Sequence, residues 1–419
     1  MTTTDLLAEP LPPPEPTPPR NDLTPRQWVR ANLASTPLNT AVSVVAGLAV
    51  AWVVFRLGRW VFVTADWTVV RVNLKLFMVG FFPVDELWRL WVASYVVVTA
   101  LALAGGALAA SMRPREAEPA ARAGVLALLH RYWPAVLGVL AVLSFTRTVW
   151  PTIGTLGLVA VAVGAGRLGT LAPPWLRPWA WVVVVVGFVA ALQVILAGGP
   201  GTGWDDWGGL HLVVAATVAG IALAFPLGLL LALGRRSSLP GIRVVSVAYV
   251  EGFRAVPLVT LLFLGQYMIG FMFPNTVEPP SFLVRAVIAI TLFEAAYIAE
   301  IVRGGLQAVP RGQVEAAQAI GLPPVKVLRL VVLPQALRAV IPAMVGQFIS
   351  LFKDTSLLAI VGFFELLDVA NAVTQQDAFR GQGLRPLALA FVGLIYWAGC
   401  STMSRESQRL ERRLGVGER

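Results

Sequence analysis

Lys353 and Asp354 stand side by side within an apolar stretch and are followed by the hydroxyls of Thr355 and Ser356. Charge at such depth is expensive in hydrocarbon, so it marks pathways, gates or interhelical pairs. Neighbours in a helix face different directions. The quartet therefore offers a cation, an anion and two hydroxyls to different sides, a set able to line a polar path or to pair between helices. Glu251 and Arg254 lie three residues apart, on one helical face, and can form a structural or gating ion pair. Glu300 and Arg303 repeat that spacing, while Glu294 stands alone in mid-span with a partner expected across helices.

No reactive constellation accompanies these charges. His130 and His211 are far apart in sequence and have no acidic residue at i+1 or i+4, so a metalloprotease helix is excluded. A single cysteine, Cys400, excludes an internal disulfide and a thiolate metal site. None of the three lysines, Lys75, Lys326 and Lys353, follows a glycine in the Gly-Lys-Ser/Thr arrangement that holds nucleotide phosphates. The glycine-rich run 199–203 lacks the strand and helix context of a phosphate loop and is expected to be a turn. No metal, no cofactor and no enzymatic activity of the chain's own are expected. Energy must come from a partner.

The elements that position these residues follow from composition. Of 419 residues, 57% are apolar and 13% charged, against about 25% charged in soluble domains. The chain is predicted to be an all-α polytopic membrane protein. Its net charge of +10 then reports loop sidedness and not nucleic-acid binding. Residues 1–37 include a proline-rich run at 9–16 and are expected to form a disordered cytoplasmic tail without the pattern of a signal peptide. Apolar stretches near the ~20 residues that cross a bilayer begin about Leu38, Leu90, Trp133, Thr152, Trp179, Leu210, Val250, Leu283, Ala339 and Pro386. Ten spans are expected, with eight as the fallback because the Trp133 and Thr152 stretches are barely separated. With both termini inside, 22 of the 33 basic residues fall in inside loops and 8 in outside loops, the sense of the positive-inside rule. The segment 56–89 is basic yet outside, and its Trp60, Phe62, Trp67, Phe77, Phe81, Phe82 and Trp88 suit a loop lying in the headgroup region.

Residues 310–334 form a separate device on the inside. Pro310 and Gly312 can open a helix that places Glu315 near the positive end of its dipole, and Ala316 and Ala317 allow close approach of another surface. Gly321 permits the left-handed conformation that stops a helix, and Pro323 and Pro324 can start the next one. Val325, Leu328 and Val332 give that second helix an apolar face opposite Lys326 and Arg329, and Pro334 is expected to end it. Two short helices with a hinge make a lever for docking another protein.

From Trp207 onward the chain resembles the inner-membrane permease subunit of polar amino-acid ABC importers, of the binding-protein-dependent type. The resemblance rests on Phe225 to Gly228, Tyr249 to Leu258, Ala296 to Gly305 and Phe352 to Leu357 as well as the lever. The N-terminal half, including Trp88 to Trp91, further resembles the larger permease of general L-amino-acid importers. The resemblance implies a type I importer core at 199–405, a membrane extension at 38–198 and a basic cytoplasmic end at 406–419. It implies that Glu315, Ala316, Ala317, Gly321, Leu333 and Pro334 engage a separate ATPase subunit in two copies. It also implies a second permease subunit, a paralogue, a periplasmic amino-acid-binding protein and the bacterial inner membrane as location. Because a zwitterion needs a partner for each charge, Lys353, Asp354, Thr355 and Ser356 become the leading path residues, with Glu251 and Arg254 behind them. Permeation of another solute such as an opine, and ion-coupled secondary transport, are the alternatives.

Overall fold

The computed structural model describes residues 24–111, 130–198, 202–274 and 277–414. The proline-rich run at 9–16, most of the glycine-rich turn and the last five residues fall outside them. Among the described residues the regular structure is helical throughout, and the only strand-like feature is an isolated bridge between Gly209 and Glu365.

The chain divides into two compact units, residues 1–66 and 67–419. In the first, helix α1 (Pro25–Asn32) opens with a capping box in which Thr24 and Gln27 satisfy each other's backbone N–H groups. Pro25–Asn32 is thus helical within the tail expected to lack structure, because a capping pair followed by Pro25 is itself a start signal. Helix α2 (Pro37–Arg59) is capped by Thr36 and runs into a wide π turn at Trp60–Thr64. The stretch Pro37–Thr64 is long and apolar enough to cross a membrane. Arg56, Arg59, Trp60 and Phe62 therefore sit on a helix, which shortens the expected aromatic loop.

The second unit begins with α3 (Thr68–Val72) and α4 (Leu74–Val79), followed by α5 (Leu87–Ser111), α6 (Trp133–Ser144), α7 (Trp150–Thr170) and α8 (Ala180–Leu196). Helices α9 (Gly209–Gly234), α10 (Pro240–Ala255), α11 (Leu258–Phe263, extended through Phe271) and α12 (Phe282–Ala308) come next. After the lever, α13 (Arg311–Ala319) and α14 (Pro324–Val327), come α15 (Leu333–Asp354), α16 (Leu366–Val373) and α17 (Arg385–Leu414). All ten expected starts fall on helices. Among the described residues, eight helical stretches are long and apolar enough to cross a membrane, and α10 with α11, bent by 104° at Val256 and Pro257, make a ninth if taken as one span. The tenth, α6, has 12 residues.

The bend has a local cause. Pro257 forces Val256 out of the helical region, and both residues are extended. Helix α12 is the centre of the core: Ala295, Ala296, Ile298, Ala299 and Val302 are wholly buried there. Helix α9 lies against it, and Gly228 leaves no room for a side chain between Ile298 and the carbonyl of Ala295.

The aromatic segment is no interfacial loop over 67–82. Val69, Val70, Phe77 and Phe82 are fully buried, Phe77 packs edge-on against Phe391, and Phe81 stacks on Phe364 at 4.5 Å. Asn73 and Gln376 exchange hydrogen bonds of 3.2 and 2.9 Å. Sequence alternation could not distinguish rings that anchor in headgroups from rings that plug a core. The reason lies in three chain reversals that meet there. Gly80 abuts the backbone of Gly208, and Gly209, at φ +55°, donates its N–H to the Phe364 carbonyl at 2.8 Å. A side chain at any of these glycines would collide with backbone.

Candidate translocation and coupling sites

The charged residues sort into two separate groups. At the end of the core near Gly234, Glu300 is a hub: it accepts from Arg235 at 2.9 Å and from Arg303 at 2.9 Å, and Arg254 approaches to 3.8 Å. Arg235 also donates to Glu251 at 3.0 Å. Glu300 and Arg303 thus pair as their spacing predicts. Glu251 and Arg254 do not: each is drawn to a charge on a neighbouring helix, because the side chains reach partners brought by α9 and α12. Arg254 lies over the ring of Tyr297 at 5.4 Å. Sequence spacing alone missed Arg235, whose partners are 16 and 65 residues away. Arg236 closes the same end by donating to the Leu306 carbonyl at 3.1 Å.

The second group surrounds the end of α15. Thr355 is fully buried and donates to the carbonyl of Phe352 at 2.8 Å, so its hydroxyl is occupied within the helix and faces no open path. Lys353 is exposed, Asp354 and Ser356 are half-buried. No ion pair engages Lys353 among the described residues. Behind them Glu294, 0% exposed, accepts two hydrogen bonds from the Gln347 amide at 3.0 and 3.3 Å. The expected partner across helices is therefore a neutral amide. The six path candidates split accordingly, Glu251 and Arg254 with the first group, and Lys353, Asp354, Thr355 and Ser356 with the second.

The lever has the hinge its sequence encodes, with two differences. Pro310 precedes α13, Gly321 takes φ +80°, and Pro324 occupies the first turn of α14. Pro334, however, does not end the second helix. The chain continues through a π turn at Leu328–Val332 into α15, with Leu333 donating to the Leu328 carbonyl. The added residue in that turn accommodates the proline ring, which would clash with the carbonyl four residues earlier in a regular helix. The second difference concerns faces. Ala317, expected to receive another surface, is buried with Val327, Val332 and Ala336, so its small size lets the lever close on its own span. Glu315, Ala316, Gly321 and Pro334 are exposed, and Leu333 is half-buried. Val325, expected on the inner face, is 75% exposed, with Ile320 at 77% and Leu330 at 61%. Three large apolar side chains thus stand on the outer surface of the lever, where helical periodicity had suggested only charges.

The two connections that flank this part of the core differ in exposure. Trp207, Gly208 and Gly209 are buried in the glycine junction, which leaves Val277, Glu278 and Phe282 as exposed residues of the 273–282 loop.

Comparison with known proteins sets this geometry in a family. Residues 224–416 match the model of the binding-protein-dependent transport system inner membrane component. The glutamate/glutamine/aspartate/asparagine transport system permease protein BztC of Rhodobacter capsulatus is 36% identical over 93% of this chain and 93% of its own length. The inner membrane amino-acid ABC transporter permease protein YhdY of Escherichia coli is 40% identical over 62% of this chain and 70% of its own length. A solved structure described as an amino acid ABC transporter with histidines is 29% identical over 48% of this chain and 90% of that chain, with a TM-score of 0.43. With a bent lever on a helical core and a relative, BztC, that matches it nearly end to end, this chain belongs to the family of inner-membrane components of binding-protein-dependent transport systems, among the amino-acid ABC transporter permeases.

Proposed function

We propose that the chain forms one wall of an ATP-driven import path for polar L-amino acids, with acidic amino acids and their amides as first candidates because BztC carries those four in its name. The observation that supports coupling to a separate motor is the lever, whose Glu315, Ala316, Ile320, Val325 and Leu330 are exposed among the described residues. Apolar residues in that position suit a cleft in an ATPase subunit, and Glu315 adds a charge at its rim. A pair of such subunits closing on ATP would push two levers together and bias the permease pair between outward and inward openings.

On this reading both termini are cytoplasmic. The first charged group, with Glu300 at its centre, lies at the inner gate, and the Lys353 to Ser356 end of α15 faces the outer part of the path. Lys353 supplies a cation for a substrate carboxylate, Asp354 a carboxylate for its ammonium group, and Ser356 a hydroxyl. A binding protein delivers substrate to the 273–282 loop, a paralogous permease supplies the other wall, and this chain binds no nucleotide.

The test is purification with natural neighbours, identification of the accompanying subunits, and reconstitution with radiolabelled glutamate, glutamine, aspartate and asparagine. ATP-dependent uptake that needs a co-purified ATPase is the expected outcome. ATP hydrolysis by the chain alone, or uptake without any ATPase, would refute the proposal.

A further inference from the structure

A crevice of about 970 Å3 opens between the extension and the core. Its size is at the upper end of pockets that hold small organic ligands, about 300–1,000 Å3. Leu90 of α5, Val139 and Val142 of α6, Phe352 of α15 and Ile395 of α17 form much of its apolar wall. The crevice exists because α6, with 12 residues, rises about 18 Å beside helices that cross a ~30 Å hydrocarbon core. Gly138 brings α6 tightly onto Ala398 of α17, which leaves the flank toward α5 unfilled.

Arg71, Lys75 and Arg147 also line the crevice, and among the described residues no aspartate or glutamate does. None of these three cations joins an ion pair or a hydrogen bond among the described residues. The Nε2 atom of His211, buried and without a hydrogen-bond partner among the described residues, belongs to the same lining. The cations sit at one end: Arg71 and Lys75 on the short helices beside the glycine junction, and Arg147 in the turn between α6 and α7. From Thr146 down to Ala135, the depth along α6 is about 16 Å at 1.5 Å per residue, or roughly one leaflet of hydrocarbon.

We infer that this crevice is a binding site for an anionic phospholipid, whose phosphate lies among Arg71, Lys75 and Arg147 and whose acyl chains run along α6 between α5 and α17. Three uncompensated cations select a headgroup with net negative charge over a zwitterionic one, as basic pockets between membrane helices do. Arginine supplies the forked donors that phosphate oxygens accept. The lipid would fill the seam between extension and core, from the leaflet on the Gly208–Gly209 side.

The complex purified with its natural subunits would be equilibrated in vesicles of equal phosphatidylglycerol and phosphatidylcholine, extracted, and its retained lipid measured by mass spectrometry. The expected result is enrichment of phosphatidylglycerol by about fivefold or more. That enrichment should fall toward unity in the triple variant Arg71→Ala, Lys75→Ala, Arg147→Ala, and the amount of retained lipid should fall in Val139→Trp, which fills the apolar wall. Equal retention of the two lipids by the unmodified complex overturns the inference, and needs no variant to fold. So does a triple variant with undiminished enrichment, or loss of enrichment only in Arg405→Ala, Arg412→Ala, since those arginines line a different cavity.

Discussion

Residues 67–198 and residues 207–414 are both helical and strongly apolar, yet they bury different things. In the first region Asn73 is the only buried polar side chain among the described residues, and it is spoken for by Gln376. The second region buries Gln266, Thr291, Glu294, Thr355 and Glu365. The first is held by close backbone contact: Gly106 lies against the Gly166 carbonyl, Gly169 against that of Leu103, and Tyr95 donates to the Gly154 carbonyl at 2.9 Å. Small residues at helix crossings are how segments associate when lipid is as apolar as their side chains. Both regions carry ion pairs, Arg89 with Glu86 in the first and the Glu300 group in the second, but the second adds buried polar side chains that cost desolvation. On the function proposed above, transport work falls to the second region, and the first region is expected to support it.

The largest effect that would confirm this division is at the lever. Glu315→Lys, or Ile320→Asp, should reduce uptake to background in reconstituted vesicles while the protein still reaches the membrane in normal amount. Undiminished transport would remove the lever from the mechanism. Next comes Glu300→Gln, which leaves Arg235, Arg254 and Arg303 without the carboxylate they share. A loss of about 1.5–3 kcal/mol for a hydrogen bond to a charged group should lower the melting temperature and make ATP hydrolysis less dependent on substrate.

Gly169→Leu tests the other side of the comparison. Overpacking costs about 1–3 kcal/mol, which should appear as a lower melting temperature with the substrate affinity of uptake unchanged. A changed affinity would show that the extension shapes the path and would blur the division proposed above.

The smallest effect concerns pH. Glu365, in the loop before α16, is fully buried, and burial pushes its carboxyl up to about 7 despite N–H groups from Leu367 and Asp368. The folded protein therefore holds this proton more tightly than the unfolded chain does. Its contribution to stability is full below the ordinary carboxylate range and is lost as pH rises toward 7. Glu365→Gln should flatten the slope of melting temperature against pH between about 4.5 and 7 without abolishing the cap, since an amide oxygen can still accept both N–H groups. A slope identical to that of the unmodified protein would assign the titration elsewhere.

Much of the core was legible because its signals are local. Gly321 with Pro323 and Pro324 dictates a stop and a start whatever surrounds it, and the structure has both. Apolar length placed the long helices for the same reason. The orientation of the lever was not legible: Val325 turns outward because a four-residue helix that continues through a π turn has no single period of 3.6, and Ala317 turns inward because α13 packs back on Val327, Val332 and Ala336. The charge network was half legible, since spacing identified Glu300 with Arg303 but could not bring in Arg235 from another helix.

The sequence by itself determined that this chain crosses a membrane in many helices, that it has no phosphate loop, and that it carries a hinged pair of short helices. These follow from composition, from motif spacing and from the backbone limits of glycine and proline, which act within a few residues. Only the tertiary structure decided that the aromatic run at 67–82 plugs the core, that Glu294 meets Gln347, and that three cations with no ion pair among the described residues share one apolar crevice. Such pairings join residues tens to hundreds of positions apart, and helix packing, not local preference, chooses among the partners each side chain could reach.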